Sequence, residues 1–278
     1  MAVEPTPLSA NNQRLATLRR LTGRRKARLE AGQFVIEGPV ALTEALSAGI
    51  AIDELYVDAR TWAEAFTRSA DDDPFIATVD LAASSGATVW SLSEGVLESI
   101  SDTVTPQGLL AVAPRHTTSL EELVQAPGPV LVLADVADPG NAGTLVRAAE
   151  AFGAAGVVFA GTSTDAFGPK AVRAAAGSLL RLPIVEESDT AVVVQRLREL
   201  GRITVATVVS GGEVPDSIDL TGPIAVLVGS EAHGLAAAII DQCDRNVTIP
   251  VASSVESLNV SVAGAVVLFE ASRQRRSE

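Results

Sequence analysis

A chain of 278 residues, 47% hydrophobic but only 4% aromatic, has room for two domains of ordinary size and must build its cores from Ala, Val, Leu and Ile packed around 22 glycines. A formal net charge of -13 argues against a uniformly basic nucleic-acid binder, and a single cysteine excludes an internal disulfide. The most apolar stretch, Val260 to Phe269, is far shorter than the roughly 20 residues of a membrane span, so the expectation is a cytosolic α/β protein.

Taken in order, Met1 to Asn12 is polar and contains prolines, and reads as a frayed terminus. The helix expected next carries Leu15, Leu18, Leu21 and Leu29 near helical spacing, with bases between them. Residues 1–30 hold seven Arg or Lys against two acids, residues 31–125 three against fifteen, and the remainder eleven against seventeen. Arg24, Arg25 and Lys26 therefore form either a local footprint for a polyanion or the solvated face of an amphipathic helix. Strands are predicted at Phe34 to Glu37, Ile52 to Val57, Ala87 to Leu92 and Gly108 to Ala113. Helices fall at Pro39 to Ala48, Thr61 to Ser69 and Ser93 to Ile100, and a loop at Asp71 to Pro74.

Composition shifts at Arg115 to Pro129, a short helix followed by a Pro/Gly break, which divides the chain into domains at 1–118 and 128–278. The second half alternates strands (Val130 to Val136, Gly156 to Ala160, Leu182 to Val185, Ile203 to Val209, Ile224 to Val228, Val247 to Val251) with helices (Leu145 to Phe152, Pro169 to Leu180, Thr190 to Leu200). Such alternation means βαβ units and a parallel sheet buried on both faces. Cys243 falls in a mostly apolar helix and reads as a small buried hydrophobe.

Three motifs carry chemistry, all at the carboxyl ends of predicted strands, where open α/β sheets bind ligands. The first, Asp138 to Gly153 (DPGNAGTLVRAAEAFG), is a tight turn into a helix whose amides Asn141 or Thr144 can satisfy. That helix end favours an anion such as phosphate, and Arg147 adds a planar donor fork. It has neither the dinucleotide-binding glycine spacing nor the lysine of a P-loop. The second is GSEAHGL, Gly229 to Leu235. The third is IPVASSVESLNVSVA, Ile249 to Ala263, where Ser257 is the simplest N-cap of the final helix and leaves Asn259 unexplained. His233 and His116 are isolated, and no acidic set has metal-ligand spacing.

Together, N-x-G-x-x-x-R, G-S-E-x-x-G-L and I-P…S-L-N-V-S-V-A resemble the SpoU (TrmH-like) branch of the SPOUT RNA 2′-O-ribose methyltransferases. Phe34 to Leu46 (FVIEGPVALTEAL) and QGLLAVAP resemble that family's amino-terminal substrate-binding domain, itself similar to a small RNA-binding ribosomal protein. The resemblance implies a Rossmann-like parallel sheet with a C-terminal trefoil knot, a homodimer, S-adenosyl-L-methionine as cofactor and RNA, ribosomal rather than transfer, as substrate. It implies cofactor binding at Gly229, Ser230, Ile249 and Leu258, and catalytic positions at Asn141, Arg147, Glu231, Ser257 and Asn259. Arg147 would clamp the phosphate beside the target ribose and polarise its 2′-hydroxyl, since a guanidinium is a poor base.

The chain departs from the pattern at Ala232, Ser253 and Ser254, where glycine is usual. If those positions need φ > 0, the added Cβ atoms strain the loops, the cofactor binds weakly, and Ala232→Gly tightens it. That possibility keeps an alternative open, an RNA-binding protein of ribosome assembly with weak or lost cofactor binding. A small-molecule enzyme with a nucleotide-like pocket is a third reading, favoured by the acidic body and opposed by the basic amino terminus.

Overall fold

The computed structural model describes residues 3–69 and 73–276. Chain contacts divide it into two units, Met1–Arg115 with Phe167–Arg173, and His116–Ala166 with Ala174–Glu278.

The first unit is a five-stranded mixed sheet of β1 (Thr6–Leu8), β2 (Gln33–Glu37), β3 (Glu54–Asp58), β4 (Thr88–Leu92) and β5 (Leu109–Pro114), in the order β1-β4-β3-β5-β2. β1, β4 and β3 run parallel, and β5 pairs antiparallel with both β3 and β2. Residues expected to fray thus include an edge strand, because Leu8 pairs with Leu92 and is buried in the core. Helices α1 (Gln13–Gly23), α2 (Arg25–Ala31), α3 (Pro39–Ser47), α4 (Ala59–Ser69) and α5 (Pro74–Ser84) complete the unit.

Leu15, Leu18 and Leu21 seat α1 on the sheet, whereas Leu29 of α2 is half exposed. Of the expected loop at Asp71 to Pro74, residues 71 and 72 lie outside the described residues. Pro74 itself opens a helix, capped by Asp73 through the Phe75 N–H. The helix expected at Ser93 to Ile100 is a series of turns instead. Its Ser-rich start and Gly95 at φ 81 favour local turns over a continuous ladder.

The second unit is a six-stranded, all-parallel sheet. β6 (Val130–Ala134), β7 (Gly156–Ala160), β8 (Ile184–Glu187), β9 (Ile203–Thr207), β10 (Ile224–Val228) and β11 (Arg245–Val247) stand in the order β11-β9-β10-β6-β7-β8. Every residue of β6, β7 and β10 is buried, as their unbroken apolar runs require. The short α6 (Leu120–Leu123) closes a capping box between Ser119 and Glu122. It joins α10 (Thr190–Glu199) and α11 (Ala237–Ile240) around one apolar cluster. On the other side α7 (Pro139–Ala151) packs against both α9 (Ser178–Arg181) and α12 (Val260–Arg275), and α12 also meets β10.

Three expectations are corrected here. The helix predicted over Pro169 to Leu180 is two, α8 (Pro169–Ala174) and α9, because Ala176 (φ 45) and Gly177 (φ 85) turn left-handed between them. The strand predicted over Val247 to Val251 ends at Val247, since β11 is an edge strand and its continuation leaves the sheet. Cys243 follows α11 rather than lying within a helix, and burial pushes its thiol up to about 11, so it stays protonated. No helix among the described residues is long and apolar enough to cross a membrane.

Candidate active site

The site grows from two neighbouring strands. β10 and β6 pair side by side, so the segments leaving their carboxyl ends emerge together. After β6, Asp138 caps α7, its Oδ1 accepting from the Asn141 N–H at 2.8 Å, and Pro139 sits at the first helical position. Helix α7 therefore begins six residues earlier than predicted, and Asp138, not Asn141 or Thr144, is its cap.

After β10 the chain makes a closed turn. Ser230 N–H donates to the Gly234 carbonyl at 3.0 Å, Gly234 N–H returns to the Ser230 carbonyl at 2.9 Å, and Ser230 Oγ accepts from the His233 N–H. The turn needs both its glycines. A Cβ on Gly229 would lie 2.1 Å from the Gly234 carbonyl carbon, while Gly234 itself sits at φ 67.

This turn carries Glu231 to the start of α7. Its carboxylate accepts from the Ala137 N–H at 3.3 Å, the Asp138 N–H at 3.2 Å and Asn141 Nδ2 at 3.0 Å. Partial burial alone would raise its pKa, but the Asn141 amide and the backbone N–H groups outweigh it and hold the carboxyl below its ordinary range. The anion expected at this helix end is thus supplied by the chain itself, and no phosphate is needed there.

The hydrogen bonds continue in one direction. A carboxylate only accepts, so Asn141 turns its amino group to Glu231 and its Oδ1 to Asn259 Nδ2, at 3.1 Å. Asn259 Oδ1 then accepts from the Ser261 N–H at 2.9 Å and from Ser261 Oγ at 2.6 Å. Asn259 is accordingly the N-cap of α12, the role expected of Ser257. One polar relay, Glu231 to Asn141 to Asn259 to Ser261, joins all three motifs.

Beside the relay lies a cavity of about 290 Å³. Gly229, Ser230, Ile249 and Leu258, the four residues expected to hold a cofactor, all line it, as do Glu231 and Ser257. Its apolar wall comes largely from Val208, Val209, Val247 and Val251. The contribution of residues 207–209 was missed from sequence, although the carboxyl end of a parallel strand is where such a lining is expected. The chemistry of the lining fits S-adenosyl-L-methionine: apolar side chains suited to a purine, irregular loops with backbone polar groups, and Glu256, an acidic residue suited to a cationic ligand.

Ala232, Ser253 and Ser254 do not strain these loops. Among the described residues the only non-glycine positions with positive φ are Asp135 and Ala176. The expected handicap to cofactor binding therefore has no basis in the backbone.

Arg147 stands apart from the cavity. It is exposed on α7, and its side chain makes no hydrogen bond or ion pair among the described residues. In the first unit, Arg24, Arg25 and Lys26 are exposed at the α1–α2 junction. Arg28, counted among the same bases, is buried and donates to the Leu21 carbonyl at 2.5 Å and the Thr22 carbonyl at 3.0 Å, so it closes α1 rather than facing solvent.

A parallel sheet with a cavity and a polar relay at its carboxyl edge places this unit among the open α/β proteins that bind ligands there. Comparison with known proteins narrows that class. The SpoU rRNA Methylase family matches residues 128–269, and an MRM3-like substrate binding domain matches residues 12–111. The chain is 31% identical over 261 residues to the 23S rRNA (guanosine(2553)-2′-O)-methyltransferase RlmP of Bacillus subtilis, covering 94% of this chain and 96% of the relative. Among solved structures, the AdoMet-bound rRNA methyltransferase of Sinorhizobium meliloti superposes with a TM-score of 0.82 at 28% identity, covering 96% of this chain and 97% of that one. The SpoU methyltransferase AviRb of Streptomyces viridochromogenes, in complex with AdoMet, gives a TM-score of 0.80 at 29% identity, covering 96% and 99%. The chain belongs to the SpoU rRNA methylase family and is an RNA methyltransferase.

Proposed function

We propose that this enzyme methylates a ribose 2′-hydroxyl of ribosomal RNA in the cytoplasm, with S-adenosyl-L-methionine held at Gly229, Ser230, Ile249 and Leu258. The observation that carries the reading is the relay through Glu231, Asn141 and Asn259 at the edge of a cavity lined by those four residues. When bound, the cofactor supplies an electrophilic methyl group on a sulfonium. The chain's part is alignment. Glu231 locks the turn after β10 to the start of α7. Asn141 and Asn259, fixed in amide orientation by that lock, position the nucleotide with Ser257, while Arg147 clamps the adjacent phosphate through its fork and polarises the 2′-hydroxyl. Transfer to the 2′-oxygen would break the donor's carbon–sulfur bond and leave it a neutral thioether, the displaced hydroxyl proton passing to solvent.

Substrate capture is assigned to residues 1–118, with Arg24, Arg25 and Lys26 on phosphates, and transfer to residues 128–278. A homodimer is supported by the stripe Val262, Val266 and Phe269 on α12, apolar yet exposed at 47%, 36% and 46%. A knotted carboxyl terminus is supported by the return of α12 from the edge strand β11 to pack on α7 and β10. The alternative of an RNA-binding protein with a lost cofactor site loses its main argument, because the non-glycine loop residues are unstrained.

Mapping 2′-O-methyl marks on ribosomal and transfer RNA with and without the gene tests the reaction; loss of one ribosomal mark is the expected result. Arg147→Ala and Arg147→Lys should both lower turnover by at least about a hundredfold with fold and cofactor binding intact, because Lys keeps the charge but not the fork. Near-normal turnover in Arg147→Lys would refute the bidentate role.

A further inference from the structure

The first unit contains a feature that the reaction does not use. Residues 101–107 (SDTVTPQ) form the loop entering β5, and Val104 at its tip has a relative exposure of 104%, as open as in an extended peptide. Just before that tip the loop is firmly braced. Glu37, at the end of β2 and itself only 9% exposed, accepts from Ser101 Oγ at 2.5 Å, from Thr103 Oγ1 at 2.6 Å and from Arg173 Nη1 at 3.3 Å. Ser101 Oγ in turn accepts from the Thr103 N–H at 3.1 Å, and Arg173 Nη2 reaches Asp102 at 3.2 Å. Three donors on one buried carboxylate fix the backbone on the amino-terminal side of an aliphatic side chain that stands open to solvent. Binding residues are disproportionately carried on loops that a rigid scaffold positions, and this tip is held on one side by a buried carboxylate.

We infer that the 101–107 loop is an RNA-reading element in which Val104 packs against the face of an unstacked nucleobase, next to the exposed Thr105, with Glu37 and the Thr103 hydroxyl it accepts from positioning the tip. Proteins that recognise RNA by sequence use splayed-out bases, which offer one apolar face and a polar edge. One protruding aliphatic side chain next to an exposed threonine matches such a base, whereas a protein partner is expected to need a broader apolar patch. The loop also lies within residues 12–111, matched as a substrate binding domain. The inference rests on the proposed reading that the substrate is RNA.

The experiment uses the full chain with ribosomal RNA transcripts, and measures RNA affinity by fluorescence anisotropy separately from transfer of labelled methyl groups. Val104→Asp should raise the RNA Kd and KM roughly tenfold, with kcat at saturating RNA and cofactor affinity unchanged, while Val104→Phe retains or tightens binding. Glu37→Gln should shift KM in the same direction. Added to Val104→Asp it should cost little more, because loosening the loop matters only while the tip is engaged. An unchanged RNA Kd in Val104→Asp overturns the inference, as does a change confined to the oligomeric state, which would assign the tip to a protein contact. A wild type that binds RNA but transfers no methyl group refutes the proposed reaction and leaves the affinity comparison decisive for the loop.

Discussion

Glu231 is an anion placed where a helix start would otherwise draw one from solvent, and this decides both its titration and its use. Its carboxyl is held below the ordinary range, so by linkage it stabilises the fold above the unfolded-state value of about 4.3, and that contribution is lost as pH falls through the lower folded value. Glu231→Gln keeps one acceptor oxygen and sets its amide nitrogen against a backbone N–H, that of Ala137 if the oxygen stays with Asp138 and Asn141. The variant should lose stability near neutral pH, and the gap from wild type should close as pH falls below 4 in urea titrations. A gap that stayed constant down to pH 3 would mean that the charge contributes nothing. Ala232, one residue on, gives the opposite lesson. Its backbone is not left-handed, so Ala232→Gly relieves no strain and adds freedom to a loop that must be ordered, at a cost of about 0.5–1 kcal/mol. Calorimetry should show S-adenosyl-L-methionine binding unchanged or a few-fold weaker in the variant; tighter binding would restore the strain argument.

At the scale of elements, the helices that build the site meet through glycine. A Cβ on Gly264 of α12 would lie 2.4 Å from Leu145 Cδ2 of α7, so the two helices approach as closely as they do only because none is there. Gly264→Ala should therefore cost about 1–3 kcal/mol by overpacking and lower turnover as well, since Asn259 rides on the displaced end of α12. Equal unfolding midpoints for variant and wild type would contradict this. The same scale shows what could be read in advance. Gly156–Ala160 and Ile224–Val228 were legible to the residue because a strand buried on both faces has no polar interruption. Asp73 and Pro74 carried a clear helix-start signal that was passed over, whereas the three-residue β1 gave none, because its pairing with β4 is a tertiary fact. In the site, residue types and motif order pointed to Asn141, Glu231 and Asn259, but not to their joining in one directed relay. That depends on β10 and β6 being neighbours although about ninety residues separate them in sequence. Asn259 looked unexplained because Ser257 had been given its capping role.

On the scale of the whole molecule, an enzyme with a net charge of -13 has to bind a polyanion, and the location of its bases settles how. Of the seven bases in residues 1–30, Arg14 pairs with Glu54, Arg19 donates to Ser99 Oγ and Arg28 is spent on the carbonyls that close α1. Arg24, Arg25 and Lys26 stay exposed at one helix junction, where Lys26 makes a long 3.7 Å contact with Glu30. The rest of the chain is acidic in balance, so these three should carry a large share of the salt dependence. Replacing all three by Ala should weaken RNA binding without altering cofactor affinity. It should also flatten the slope of log affinity against log salt by about 2 units, the counterions of three single-strand phosphates. Arg28→Ala separates charge from structure: it removes one more base but should lower thermal stability while leaving the slope nearly as in wild type. A triple variant with an unchanged slope would make the junction a merely solvated helix face and move the phosphate contacts elsewhere on the chain.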